Sequence, residues 1–213
     1  MKKHILILAS LVLCIAFTAC EKEPKPQKEP KPQPEPVTLT FSGDIVIDLG
    51  STDADVLEFV TASDKSEVSV SGIDYDKVGE QEATFKTADV NAKKKVYVKT
   101  DKLAGDYGFT IDYDPSRYSC SITQSATYYN KIAIYGDLFG IGNNLLVYAF
   151  GQGDVLTMEK FYLELYDGLK VPVTGVGSFE KLGFGVYQVK EMTVTVTYGV
   201  DDKDVFVLSF AKI

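Results

Sequence analysis

Short runs of alternating apolar and polar residues cover the chain from residue 37 to its end. Side chains on a strand point alternately to opposite faces, so a period of two predicts strands with one buried face. Gly, Asp and Asn separate the runs, as is typical of hairpin turns. The first half is predicted to contain strands at 37–41, 45–49, 56–62, 67–72, 81–87, 94–100, 108–113 and 118–123. The second half is predicted to contain strands at 129–135, 145–150, 160–166, 170–174, 185–190, 192–198 and 205–211.

This pattern predicts an all-β protein, because no stretch at helical period is long enough to indicate a helix. Eight short strands in fewer than about ninety residues are typical of a β-sandwich. The later strands are joined by hairpin signals and indicate a sandwich or an open barrel. We therefore expect two antiparallel β-sandwich domains, an immunoglobulin-like one at 37–126 and a C-terminal one at 127–213, after a disordered stalk.

The N-terminus has the pattern of an export signal. A basic start, Met1 to His4, precedes an apolar run from Ile5 to Ala19. That run is shorter than the roughly 20 residues that a membrane-spanning helix needs, and it fits the apolar core of a signal peptide. The sequence therefore predicts a cleaved signal peptide at 1–19.

The run ends in Phe17-Thr18-Ala19-Cys20, which resembles the lipobox of bacterial lipoproteins, although Phe17 stands where that family usually has Leu. The resemblance implies that Cys20 is lipidated and becomes the first residue of the mature protein. Two or more acyl chains anchor a protein stably to a membrane. Glu21-Lys22-Glu23 resembles the export signal of Bacteroidetes surface lipoproteins, which implies a lipid anchor in the outer membrane and exposure on the cell surface.

A proline-rich linker follows at 20–36. It holds most of the eight prolines of the chain and alternates Lys with Glu. Such a segment is biased toward extended polyproline II, with a rise of about 3.1 Å per residue. We expect a stalk that holds the folded part away from the membrane.

The composition limits which reactions and ligand classes are expected. The chain carries a formal charge of −8, no Trp and one His, His4, which cleavage would remove. Without imidazole the mature protein lacks the base of Ser-His-Asp and Cys-His mechanisms. An acidic surface is repelled by nucleic acid, so nucleic-acid binding is not expected. We expect a protein that is not an enzyme, with a glycoside hydrolase built on paired carboxylates as the remaining catalytic hypothesis.

Two further segments carry resemblances. The segment 68–79, with Asp74, Val78 and Gly79, followed by 83–85, resembles bacterial immunoglobulin-like repeats. The segment from Ile134 to Tyr148 resembles a YGDxxGxGxxN-like pattern in domains of Bacteroidetes surface lipoproteins. Both resemblances imply compartment and fold and assign no chemistry.

Closely spaced carboxylates are the candidate metal ligands. Calcium takes six to eight oxygen ligands, and two carboxylates at i and i+2 of a strand face the same side. The same pairs are also typical of turns, where Asp accepts hydrogen bonds from its own backbone. A structural calcium ion is therefore one hypothesis and no cofactor is the other. The candidate ligands are Asp112, Asp114, Asp201, Asp202 and Asp204.

A tyrosine face is the candidate ligand site. Alternation places Phe161, Leu163 and Leu165 on one face of a strand and Tyr162, Glu164 and Tyr166 on the other. Two such rings beside a carboxylate suit stacking on a sugar, but tyrosines also cover the outside of sheets by cross-strand pairing. The first hypothesis is a non-catalytic binding or adhesion module for extracellular glycan. The second is a structural or protein–protein component of an envelope assembly.

Overall fold

The computed structural model describes residues 35–165 and 168–213, and these form an all-β protein in which two sheets and a closed barrel share one core. The all-β prediction is confirmed. The expected signal peptide, Cys20 and nearly all of the proline-rich linker lie outside the described residues, and Tyr166 does as well. Lipidation and the stalk therefore stay predictions.

The first six strands form two sheets. Their bounds are β1 (Leu39–Phe41), β2 (Ile45–Ile47), β3 (Val60–Ala62), β4 (Ser69–Ser71), β5 (Gly79–Lys86) and β6 (Asn91–Val98). β1 pairs with β3, and the other sheet has the order β2-β6-β5-β4, with β2 parallel to β6. The rings of Phe41 and Phe85 meet edge to face at 5.1 Å, which joins the two sheets as in a sandwich. We call β1–β6 the two-sheet region.

The predicted strand at 56–62 is wrong in its first part. The chain there forms a one-turn helix, α1 (Asp53–Leu57), before β3 begins. The Asp55 carboxylate accepts hydrogen bonds from the Thr52 N–H at 2.7 Å and from its hydroxyl at 2.9 Å, which stabilises the helix start. Because one turn is too short to show a helical period, its buried Val56 looks like part of the following strand.

The remaining eight strands close into an antiparallel barrel. They are β7 (Gly105–Ile111), β8 (Asp114–Gln124), β9 (Lys131–Gly136), β10 (Leu145–Gln152), β11 (Val155–Glu164), β12 (Lys170–Lys181), β13 (Tyr187–Thr197) and β14 (Lys203–Lys212). Neighbours in sequence pair with each other, and β14 pairs with β7 to complete the ring. This closed barrel leaves no unpaired edge, whereas the sequence allowed a sandwich or an open barrel.

The barrel begins earlier than the boundary expected at 126. β7 and β8 precede that position, yet they pair with β14 and β9. The two strand systems therefore divide between 98 and 105, and residues 36–213 form one compact unit. Alternation identifies a strand but does not identify its partners, so it could not show that β7 and β8 belong to the barrel.

Bulges determine which residues face the barrel interior. The register of β11 against β12 shifts between Met158 and Phe161. Inward positions therefore change from even numbers, such as the buried Leu156, to odd numbers, such as Leu163. A second shift lies between Ser178 of β12 and the next residue, opposite β13. It interrupts the alternation of β13, which explains why the sequence predicts two strands, 185–190 and 192–198, where one exists.

The two-sheet region packs against one end of the barrel, which we call the closed end. Val78, which is fully buried, exchanges backbone hydrogen bonds of 2.9 and 2.8 Å with Gly153. Gly151 allows this approach, since a Cβ there would lie 2.5 Å from a methyl of Val78. A short 3₁₀ turn, Asp101–Leu103, connects the two regions, and Tyr107 donates a hydrogen bond to the Leu103 carbonyl at 2.8 Å.

No helix within residues 35–165 and 168–213 has both the length and the apolar character needed to cross a bilayer.

Candidate functional site

Hairpin loops of an up-and-down barrel alternate between its two ends. The end opposite the two-sheet region carries the connections at 112–113, 137–144, 165–169 and 198–202, and we call it the open end. Residues 166 and 167 of the third connection lie outside the described part of the chain. The open end therefore gathers loops from four separate stretches of sequence.

A cleft of about 440 Å³ lies at the open end. Two tyrosines and two phenylalanines contribute to its walls: Tyr113, Phe139, Tyr198 and Phe206. The Phe206 ring meets Tyr113 at 5.6 Å and Phe139 at 5.5 Å, both nearly perpendicular. These edge-to-face contacts are favourable for aromatic pairs and hold the rings in place.

Aliphatic side chains complete the cleft. They are Ile141, Leu163, Leu165, Val196 and Val205. Ile141, Leu163 and Leu165 also line an adjoining hollow that includes Glu164. Leu163 and Leu165 are the inward-facing residues that follow the β11 bulge, and they are only half-buried because the barrel ends around them. The inward face predicted from alternation is therefore confirmed, but at this end it forms the wall of a cleft.

The loop at 137–144 forms one lip of the cleft. The Asp137 carboxylate accepts hydrogen bonds from the N–H groups of Ile141 at 3.0 Å and Gly142 at 2.7 Å. Gly142 has φ +78, a left-handed conformation that glycine adopts without strain. This arrangement directs Phe139 inward, where it is 8% exposed. The YGDxxGxGxxN-like segment thus folds a lip, with Asp137 as its internal acceptor.

Carboxylates dominate the electrostatics of the open end. Burial raises the pKa of Tyr113, and the charges of Asp114, Asp112, Asp137 and Asp204 raise it further. Burial likewise raises the pKa of Tyr198, together with a hydrogen bond to Asp204 and the charge of Asp202. Both hydroxyls therefore stay protonated at neutral pH and can donate hydrogen bonds.

The five carboxylates predicted as calcium ligands all lie at the open end. Asp112 and Asp114 flank Tyr113, and the other three lie in and beside the β13–β14 turn. Asp114 accepts hydrogen bonds from the Ser116 N–H at 2.8 Å and the Tyr118 hydroxyl at 2.6 Å. Within the described residues no three His, Cys, Asp or Glu side chains form a group that could hold a metal ion. Calcium binding stays a prediction, which a calorimetric titration tests.

The tyrosine face predicted on β11 lies on the outer wall of the barrel. Tyr162 is 60% exposed, and the Lys160 ammonium lies 5.3 Å from the centre of its ring. Glu164 is exposed and lies 3.6 Å from the Lys170 ammonium. The structure does not describe Tyr166, so the convergence of two rings around Glu164 stays a prediction.

The other tyrosines lie in three different parts of the fold. Tyr128 and Tyr148 surround the Lys131 ammonium, which lies 4.2 Å from the centre of the Tyr148 ring. Tyr187 is buried at the closed end and donates a short hydrogen bond to Asp76. Among the tyrosines that the structure describes, Tyr113 and Tyr198 line the cleft. Sequence reasoning missed Tyr113, because its role depends on which loops share one end of the barrel.

Cys120 is a buried residue of the barrel wall. Burial raises the pKa of its thiol to about 12. A thiol in that state is a poor nucleophile, so Cys120 acts as a small apolar side chain.

The fold and this cleft define a class of protein: an all-β chain in which a two-sheet region packs on one end of a closed eight-stranded barrel and a ligand-sized cleft lies at the other. A scan of family models, a search of curated proteins and a search of solved structures each returned no match. The site is therefore interpreted from its own geometry.

Proposed function

We propose that this chain is a lipid-anchored protein of the bacterial cell envelope that acts as a non-catalytic binding module, with its site in the cleft at the open end. One observation carries the proposal. The barrel is packed against the two-sheet region at one end, whereas the other end presents an aromatic and aliphatic cleft of about 440 Å³. Ligand sites are typically concave, mostly apolar and of this size, with a few polar groups for orientation.

Several features of the cleft support binding. Tyr113 is 62% exposed and Val205 is 53% exposed, although both adjoin the buried core. Such apolar surface loses contact with water when a ligand covers it, which favours association. The Tyr198 hydroxyl and the Asp204 carboxylate supply the polar groups.

The export pattern that ends at Cys20 supports an extracytoplasmic location.

A neutral fluorescent apolar probe, N-phenylnaphthylamine, tests the proposal. We expect its emission to rise with added protein and the rise to be at least several-fold smaller with Tyr113→Ala, which removes one wall. The matched control is Tyr135→Ala, because Tyr135 is similarly exposed on the outer wall of β9. Equal emission from the two variants, or no emission change with the wild type, contradicts the cleft as the site.

Glycan capture on the outer wall of β11 is an alternative to binding in the cleft, and the exposed Tyr162 and Glu164 favour it. A tyrosine face can stack on the C–H face of a sugar while a carboxylate accepts hydroxyl hydrogen bonds. We expect the double variant Tyr162→Ala and Tyr166→Ala to lose retention on a glycan array at unchanged melting temperature. An array on which the wild type retains nothing contradicts this hypothesis.

A protein–protein role is the second candidate function, and the hairpin between β12 and β13 favours it. Phe184 at its tip is fully exposed and has φ 63, a conformation that costs a bulky residue energy. An exposed aromatic anchor is typical of interface hot spots. If this role holds, a photo-crosslinking residue in place of Phe184 captures one defined envelope protein in intact cells, whereas the same residue in place of Val176, on the barrel wall, does not.

A further inference from the structure

We infer that the cleft at the open end selects small organic cations that have an apolar body, such as an aryl-alkyl amine. This inference rests on the proposed function and specifies its ligand. It follows from three properties of the cleft: the charged group that the described residues place in its wall, the charges that surround it, and its half-buried apolar surface.

The first property is the position of Asp204. Among the described residues that line the cleft, Asp204 is the charged one. Tyr113, Tyr198 and Phe206 line the same cleft. A carboxylate beside aromatic faces is a favourable setting for an ammonium group, because both the charge and the ring quadrupoles attract a cation. An anionic ligand would instead place like charges together.

The second property is the sign of the surrounding charge. Asp112, Asp114 and Asp137 lie near enough to Tyr113 to raise the pKa of its hydroxyl, and Asp202 acts on Tyr198 in the same way. Within the described residues no Lys or Arg lines the cleft or the adjoining hollow. Walls of one sign around a low-dielectric cleft raise the local concentration of the opposite charge.

The third property is the apolar floor. Leu163 and Leu165 are half-buried, whereas Asp204, near the start of β14, is exposed. A ligand can therefore bury an apolar body on the leucines and keep its charged head near the carboxylate. The adjoining hollow, which shares both leucines, brings Glu164 to a second position on the rim.

Three probes with one body and different heads test the inference: phenylbutylamine, phenylbutanol and phenylbutyrate, titrated calorimetrically at neutral pH. We expect the amine to bind roughly tenfold more tightly than the alcohol, and the carboxylate to bind most weakly. In Asp204→Asn we expect the advantage of the amine over the alcohol to fall to about two- to threefold. Raising the salt concentration should weaken the amine alone.

The outcomes separate this inference from the proposed function. If the alcohol binds as tightly as the amine, or if Asp204→Asn leaves the preference unchanged, cation selection is wrong and the cleft remains a binding site. If none of the three probes binds and N-phenylnaphthylamine does not bind either, the proposed function fails. Loss of all binding in Tyr113→Ala, with Tyr135→Ala unaffected, places the probes in the cleft.

Discussion

At the closed end of the barrel Val78 is fully buried and exchanges two backbone hydrogen bonds with Gly153, whereas at the open end Val205 is 53% exposed in the wall of a cleft. Hairpin loops that join neighbouring barrel strands occur at both ends. The difference is that another part of the chain covers one end, while the loop at 137–144 covers the other only in part, with Phe139.

The polar contacts of the two ends differ as well. Polar contacts at the closed end join distant segments: Lys181 lies 2.8 Å from the Asp76 carboxylate, and the Thr100 N–H donates to the Tyr129 carbonyl at 3.0 Å. Polar contacts at the open end mostly stay within one loop, as those of Asp137 do. We therefore expect changes at the closed end to lower the free energy of unfolding and changes at the open end to alter binding.

The largest effect is expected from Val78→Asp at the closed end. A carboxylate in this fully buried position has no partner, and burying it should lower the free energy of unfolding by about 4 kcal/mol. The same substitution at the open end, Val205→Asp, should cost less than about 1 kcal/mol, because the side chain is half in water. Urea unfolding measures both. Similar losses of unfolding free energy in the two variants would contradict the expected difference between the two ends.

A smaller effect is expected from Tyr187→Phe at the closed end. The Tyr187 hydroxyl is part-buried and donates to the Asp76 carboxylate, which also binds Lys181. Losing this bond to a charged group should lower the free energy of unfolding by about 1–2 kcal/mol. Tyr198→Phe is the control at the open end, and there we expect less than half of that loss in thermal or urea unfolding.

A change in the lip of the cleft, at the open end, should affect binding more than stability. Asp137→Ala removes the acceptor of the Ile141 and Gly142 N–H groups and should cost about 1 kcal/mol of stability. Because those bonds position Phe139, probe binding should fall at least several-fold, and the two amides should exchange hydrogen faster. Asp137→Asn, whose side-chain oxygen still accepts, should retain part of both. Unchanged probe binding in Asp137→Ala would show that the lip does not shape the cleft.

Alternation along the chain predicted the strands well, because a strand needs only local sequence. It located Tyr162 on the outer face and Leu163 on the inner face, in agreement with the structure. It could not predict that β14 closes on β7, since pairing partners depend on the whole chain. The cleft depends on that closure. In sequence, therefore, Tyr113 looked like the last residue of a strand, and Phe206 looked like an ordinary residue inside a strand.

The acid sensitivity of the closed end is the smallest expected effect. Hydrogen bonds from Lys181 and Tyr187 lower the pKa of Asp76 from its ordinary value of 3.8. The folded state therefore favours the ionised carboxylate, so this contribution is present above pH 3.8 and is lost as the pH falls through that value toward the lower folded pKa. Solvent screens the pair, since its side chains are nearly half exposed, so the change is modest.

Asp76→Asn isolates this contribution. Its stability should be lower than that of the wild type at neutral pH, and the two should approach each other as the pH is lowered through 3.8 and below, where the wild-type carboxylate is progressively protonated. Asp201→Asn, which removes an exposed carboxylate from the turn at the open end, is the matched control and should follow the wild type throughout. Urea unfolding at a series of pH values measures all three. A constant difference between Asp76→Asn and the wild type across this range would mean that the hydrogen bonds at the closed end do not depend on the charge of Asp76.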